Sequence, residues 1–238
     1  MPVEVLDYRL EVRGVAAGRQ IVRSRTDGRQ VRMETEATFD GPLPAATVVQ
    51  LSRSLRDDFV SHEFRETTKD RSGERRFQVV FDDQDGLVKL RRGEDKAEAP
   101  YVEPFRDPLS LLRELRAAPP DATRVRVPML GKTVEARAIG EAEIETPLGT
   151  RRTRAFQLFP GGSWVWIDLE PPHAIVKFTQ RTEDARIDGV LSSISTSDAL
   201  PLWDAQGKRG GGRRRGKRRR RRRGGRSRGG SSGGSGKG

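Results

Sequence analysis

The first 200 residues predict an all-β, mainly antiparallel domain: a barrel or strongly curved sheet with one amphipathic helix, followed by a cationic tail over 201–238. Three observations predict it. Leu6, Tyr8, Leu10 and Val12 alternate with Asp7, Arg9, Glu11 and Arg13. Val31, Met33, Thr35, Ala37 and Phe39 alternate in the same way with Arg32, Glu34, Glu36 and Thr38. A period of two places every apolar side chain on one face of a strand, with the other face wet. Turn pairs recur at short intervals, among them Asp27-Gly28, Ser72-Gly73, Asp85-Gly86 and Asp188-Gly189. That spacing suits antiparallel hairpins rather than βαβ crossovers. Helical spacing stands out in a single segment, the one that follows Asp107-Pro108.

In chain order, strands are predicted over 6–13, 19–25, 31–39, 46–55, 60–68, 74–81 and 87–92, with Asp40-Gly41-Pro42 turning the third into the fourth. The segment 93–106 is charged, contains Pro100 and Pro104, and reads as a loop. Asp107 is a good N-cap and Pro108 suits the first helical position, which starts a helix over 107–118. Leu111, Leu112 and Leu115 make its apolar stripe with Leu109 at the edge; Arg113, Glu114 and Arg116 take the wet side, and Pro119-Pro120 stops it. Seven further strands follow at 123–128, 132–139, 141–146, 150–158, 163–169, 173–181 and 185–194, punctuated by Pro147-Leu148-Gly149 and Gly161-Gly162. From Asp198 the alternation decays, and Leu200, Leu202 and Trp203 offer a last docking segment. After Gln206 the chain holds only Gly, Ser, Lys and Arg, which cannot bury enough apolar surface to offset chain entropy, so disorder is expected there.

Asp107-Pro108-Leu109-Ser110-Leu111-Leu112-Arg113-Glu114-Leu115-Arg116, Glu143-Ile144-Glu145-Thr146-Pro147-Leu148-Gly149-Thr150 and Trp164-Val165-Trp166-Ile167-Asp168-Leu169-Glu170-Pro171-Pro172 carry a family resemblance. With these motifs the chain resembles an uncharacterised family of bacterial β-domains, over most of residues 1–195. That family is similar in shape to the periplasmic lipoprotein carriers, which implies a curved antiparallel sheet wrapped around helical material. The resemblance implies no catalytic residues, and the Arg-rich tail is not part of its pattern.

Charge is divided sharply along the chain. Residues 207–238 hold 15 of the 46 Lys and Arg and no Asp or Glu. Subtracting 15 from 46 leaves 31 basic residues against 34 acidic in residues 1–206, so a body near −3 carries a tail of +15. Such asymmetry points to a polyanionic partner. Arg213, Arg214, Arg215, Lys217, Arg218, Arg219, Arg220, Arg221, Arg222, Arg223, Arg226 and Arg228 are the candidate nucleic-acid contacts. Their charges displace counterions from phosphates, which gives sequence-independent binding, and the glycines let the chain follow a backbone. Arg-Gly-Gly segments also suit unpaired bases, so RNA or single-stranded DNA is expected in preference to a specific duplex site. A passive solubilising tail and an anionic membrane surface are the competing readings. The second lacks the apolar anchor that stable attachment needs.

The body is quieter chemically. There is no cysteine, which excludes disulfides and thiolate metal sites. No apolar run is long enough to span a membrane, and Met1-Pro2-Val3-Glu4-Val5 lacks the regions of a secretory signal, so the protein reads as cytoplasmic. Gly131-Lys132-Thr133 is not a phosphate loop, because Arg126 stands where the first glycine belongs. Asp82, Asp83 and Asp85 before Gly86 read as a solvated hairpin turn and not a calcium loop. His62 and His173 are the only histidines and have no paired spacing, so no metal or cofactor is implied. With no nucleophile elbow either, the chain reads as non-enzymatic. Trp164 and Trp166 share one face of a strand whose other face is Val165, Ile167 and Leu169. One face must meet the core, and the tryptophans are candidates for lining a ligand cavity. The body is therefore a surface for a protein partner, or a carrier or sensor cavity for an apolar ligand with the tail as locator.

Overall fold

The computed structural model describes residues 2–182 and 185–198. The tail and its candidate nucleic-acid contacts, together with Leu200, Leu202 and Trp203, lie outside the described residues. Eight strands come first: β1 (Val3–Val12), β2 (Val15–Asp27), β3 (Gln30–Phe39), β4 (Ala46–Leu55), β5 (Ser61–Asp70), β6 (Gly73–Asp82), β7 (Leu87–Arg92) and β8 (Asp95–Pro100). The helix α1 (Pro108–Arg116) follows. The second run is β9 (Arg124–Met129), β10 (Lys132–Thr146), β11 (Gly149–Phe159), β12 (Ser163–Asp168), β13 (Ile175–Arg181) and β14 (Arg186–Ser197).

All fourteen strands form one sheet in the order β8-β7-β6-β5-β4-β3-β2-β1-β14-β13-β12-β11-β10-β9. Each half is an up-and-down meander, and every ladder is antiparallel. The halves join where the first strand pairs with the last, Val3 opposite Ser197 and Leu6 opposite Ile194. The sheet is curled rather than closed, with β8 and β9 as its free edges. The segment leading into α1 ties the start of β5 to the edge strand β9. Phe105 O accepts from Ser61 N at 2.9 Å, and Arg106 N donates to Pro128 O at 2.8 Å.

The helix lies in the concave face. Leu111 and Leu115 pack with Leu6 of β1 and with Phe156, Val165 and Ile167 of the second half. Leu109 packs with Val31, Met33 and Phe64 of the first half. An amphipathic helix thus supplies the core that a lone curled sheet lacks.

Five details differ from the sequence reading. The segment 93–106 is not a loop throughout. Gly93, at φ 60°, turns the chain into the short edge strand β8. Its Lys96, Glu98 and Pro100 are the charged and proline residues that blunt an exposed edge, and they hid its alternation. Residues 132–139 and 141–146 are one strand, because Gly140 at φ 147° absorbs a bulge opposite Ala155 instead of breaking it. The helix is shorter than 107–118, ending at the C-cap Ala117. Its wet side is also narrower than expected. Arg116 is half-buried in a bidentate pair with Glu4, and Arg106 holds Glu114 at 2.9 Å. Glu34, on the nominally wet face of β3, is 1% exposed and bound to Arg23 at 2.8 Å.

Candidate functional site

The site grows from the way α1 is fastened. Asp107 is 1% exposed and caps the helix. Its Oδ1 accepts from Leu109 N at 2.8 Å and Ser110 N at 3.0 Å. Its Oδ2 accepts from Ser52 Oγ at 2.7 Å and Ser61 Oγ at 2.6 Å. Its own N–H meets Ser61 Oγ and Ser110 Oγ. Burial pushes its carboxyl above the usual carboxylate range, while the four donors pull the other way. At the other end, Arg113 donates to Ser54 Oγ, Leu55 O and Arg56 O and lies over the Phe59 ring. Burial brings its guanidinium down to about 10, still protonated at neutral pH. Arg116 clasps Glu4 and also donates to Pro172 O and His173 O. Arg154 donates to Ala118 O, Pro119 O and Pro120 O. The helix is therefore pinned to both halves of the sheet at the end where β4 finishes and β5 starts.

Beneath it is a cavity of about 340 Å³. Leu109, Leu111 and Leu112 form its helical side, and Leu6, Tyr8, Val22, Met33, Leu158 and Phe178 its strand walls. Tyr8 donates to Ile175 O at 2.9 Å, packs edge-on to Phe178 at 5.4 Å, and is held neutral because burial raises its phenol. Gln20, Thr35 and Gln50 from the middle of β2, β3 and β4, with Lys132 and Gln180 near the ends of β10 and β13, give the cavity a polar rim. Lys132, Pro160 and Gln180 are exposed, so this end meets solvent.

Trp164 borders the cavity beside Ser163, whereas Trp166 is not among its lining residues. The alternation of β12 explains this. Val165 and Ile167 enter the core. The two indoles stack on each other on the opposite, outer face, with centroids 5.7 Å apart and planes at 18°. Lys177 Nζ sits 5.5 Å from the Trp166 centroid.

The remaining polar motifs are dispersed. His62 is on β5, next to Ser61 but on the other face of the strand. His173 is exposed in the turn before β13, at φ 55°, with Nδ1 3.1 Å from Asp168 O. Lys89 binds both Asp82 and Asp85 across the β6–β7 hairpin. Gly131 turns β9 into β10 at φ 77°, with no helix behind it. Among the described residues no group of three His, Cys, Asp or Glu is placed to hold a metal, and no helix is long and apolar enough to cross a membrane. Sequence reasoning missed the Asp107–Ser52–Ser61–Ser110 cluster and the glutamine rim. The Asp-Pro cap signalled the first, but its serine partners lie on strands 46 and 55 residues away.

No protein-family model matches the chain and no curated protein matches it. Among solved structures it is similar to a beta-barrel-like protein of a domain of unknown function from Brucella abortus. The TM-score is 0.53 at 11% identity, over 83% of this chain and 99% of that one. The likeness is one of fold. It supports a β-domain architecture of uncharacterised role.

Proposed function

We propose that this is a non-enzymatic nucleic-acid-binding protein whose Arg/Gly-rich tail contacts the phosphates of RNA or single-stranded DNA without sequence specificity. The observation that carries the reading is the charge division, +15 in residues 207–238 against about −3 in the rest. A near-neutral body adds little electrostatic affinity, so the tail must supply the counterion release that drives binding. The reading requires a compartment that holds nucleic acid, the cytoplasm. A salt titration tests it: affinity for single strands should fall with a log–log slope of about −0.7 per phosphate neutralised. A slope magnitude below about 3 would remove the tail as the main contact.

The cavity favours a second reading, a carrier or sensor for an apolar ligand with the tail as a locator on an anionic surface. Its support is the solvent-reaching, largely apolar space of about 340 Å³ under α1, at the small end of ligand pockets. Displacement of a bound hydrophobic fluorophore, and its loss in Leu112→Trp, would test this. A chain that binds no such probe would count against it.

A further inference from the structure

We propose that the outer face of β11–β13 is a stacking platform for unpaired bases, built on Trp164 and Trp166. This deepens the nucleic-acid reading above and rests on it. Two half-buried indoles on one strand face are most simply explained as core, but neither belongs to any of the four buried clusters. Their strand neighbours Val165 and Ile167 fill that role instead. Neither indole N–H has a hydrogen-bond partner among the described residues.

The surroundings suit a single strand. Trp166 stands opposite Lys177, and that lateral row continues through Val190, Arg9 and Arg19 on β14, β1 and β2. The neighbouring row runs Arg137, Gln157, Trp164. Phe159 lies on the same face as Gln157, and Arg137 stands over its ring at 4.7 Å. Lys177 has no carboxylate partner among the described residues. Arg9, Arg19 and Arg137 are each paired already, with Glu11, Asp7 and Glu135, and Asp188 is held by Thr179 and Arg186, so the cation this face offers to a phosphate is Lys177 beside Trp166. Aromatic faces interleaved with cations on an antiparallel sheet accept bases of any sequence and exclude paired ones, whose faces are covered.

The tail can serve the same strand. From Val190, in the Trp166 row, β14 runs on to Ser197, about 23 Å at strand rise. The 15 residues from Asp198 to Arg213 span up to about 50 Å when extended. Phosphates held by the tail and bases on the indoles can therefore belong to one short oligonucleotide. The platform would convert indiscriminate phosphate binding into preference for single strands.

The test uses the full chain carrying Trp203→Phe, which leaves Trp164 and Trp166 as the only fluorophores of their kind. A labelled 12-nucleotide oligouridine and a matched RNA duplex are titrated while tryptophan emission and label anisotropy are followed together. Saturable quenching that tracks anisotropy for oligouridine, with duplex binding but no quenching, is the expected result. Trp166→Ala should then weaken oligouridine binding roughly ten-fold and duplex binding less than two-fold. If oligouridine binds without quenching, or both RNAs quench alike, the platform is overturned and the tail reading stands. If neither RNA raises anisotropy, both fail. Because the quenching is read on intact indoles, the result holds even where Trp166→Ala disturbs folding.

Discussion

At the scale of single residues, a half-buried and a fully buried carboxyl give opposite pH signatures. Glu4 is held below the usual carboxylate range: burial would raise it, but the hydrogen bonds and charge of Arg116, with Ser24, outweigh burial. Its folded value lies under its unfolded one, so its contribution to stability is present above about pH 4 and lost as pH falls through the folded value. Asp107 is raised, chiefly by burial. Its contribution is fullest below the unfolded carboxylate value and declines as pH rises through the folded one. Urea midpoints measured from pH 3 to 8 should therefore lose part of their acid-side fall in Glu4→Gln, and part of their neutral-side fall in Asp107→Asn. A pH profile unchanged in both variants would show that neither group is linked to folding. At fixed pH, Asp107→Ala strands two helix amides and two serine hydroxyls in the interior and should cost about 2–4 kcal/mol. Asp107→Asn keeps an oxygen for the amides, and the hydroxyls can turn to accept from its new NH₂, so its cost should be nearer 1 kcal/mol. Chemical denaturation separates the two.

At the scale of elements, α1 supplies the core of the curled sheet. Leu115 is 0% exposed, and Leu115→Ala should cost about 2–5 kcal/mol in equilibrium unfolding. The ladder between β13 and β14 has its own requirement. The Phe178 ring lies where a side chain on its partner Gly189 would project. Gly189→Val must displace that ring from Tyr8 and from the cavity wall, at about 1–3 kcal/mol. A melting temperature unaffected by Gly189→Val would mean that Phe178 is free to move. Most elements were legible locally, because a period of two needs only one strand's residues to be seen. β8 escaped because an exposed edge strand has few apolar residues to alternate. β10 was cut in two because a glycine at a bulge and a glycine at a turn look alike until the partner strand is known. The cavity rim escaped for a different reason. Gln20, Gln50, Lys132 and Gln180 come from four separate strands and converge only when the sheet curls. The two tryptophans were legible as a pair on one face, but which face meets the core depends on the neighbours of Val165 and Ile167.

At the scale of the whole molecule, the folded body and the cationic tail have separate chemistry. A folded β domain near neutrality presents a small cavity on its concave side and an aromatic face on its convex side, and attraction to phosphate is the role proposed for the dense cationic tail. The fold carries little of this argument by itself, since one architecture serves unrelated activities. The charge division carries most of it, and it makes a quantitative demand. The measurement that tests it most directly is a salt titration of binding to single-stranded RNA, with the full chain and the 1–206 truncation side by side. If ten tail charges engage, the full chain should show a log–log slope of about −7, and the truncation should lose most of its affinity. Equal affinity in the two chains, with a shallow slope in both, would contradict the account and move the nucleic-acid contact onto the β domain.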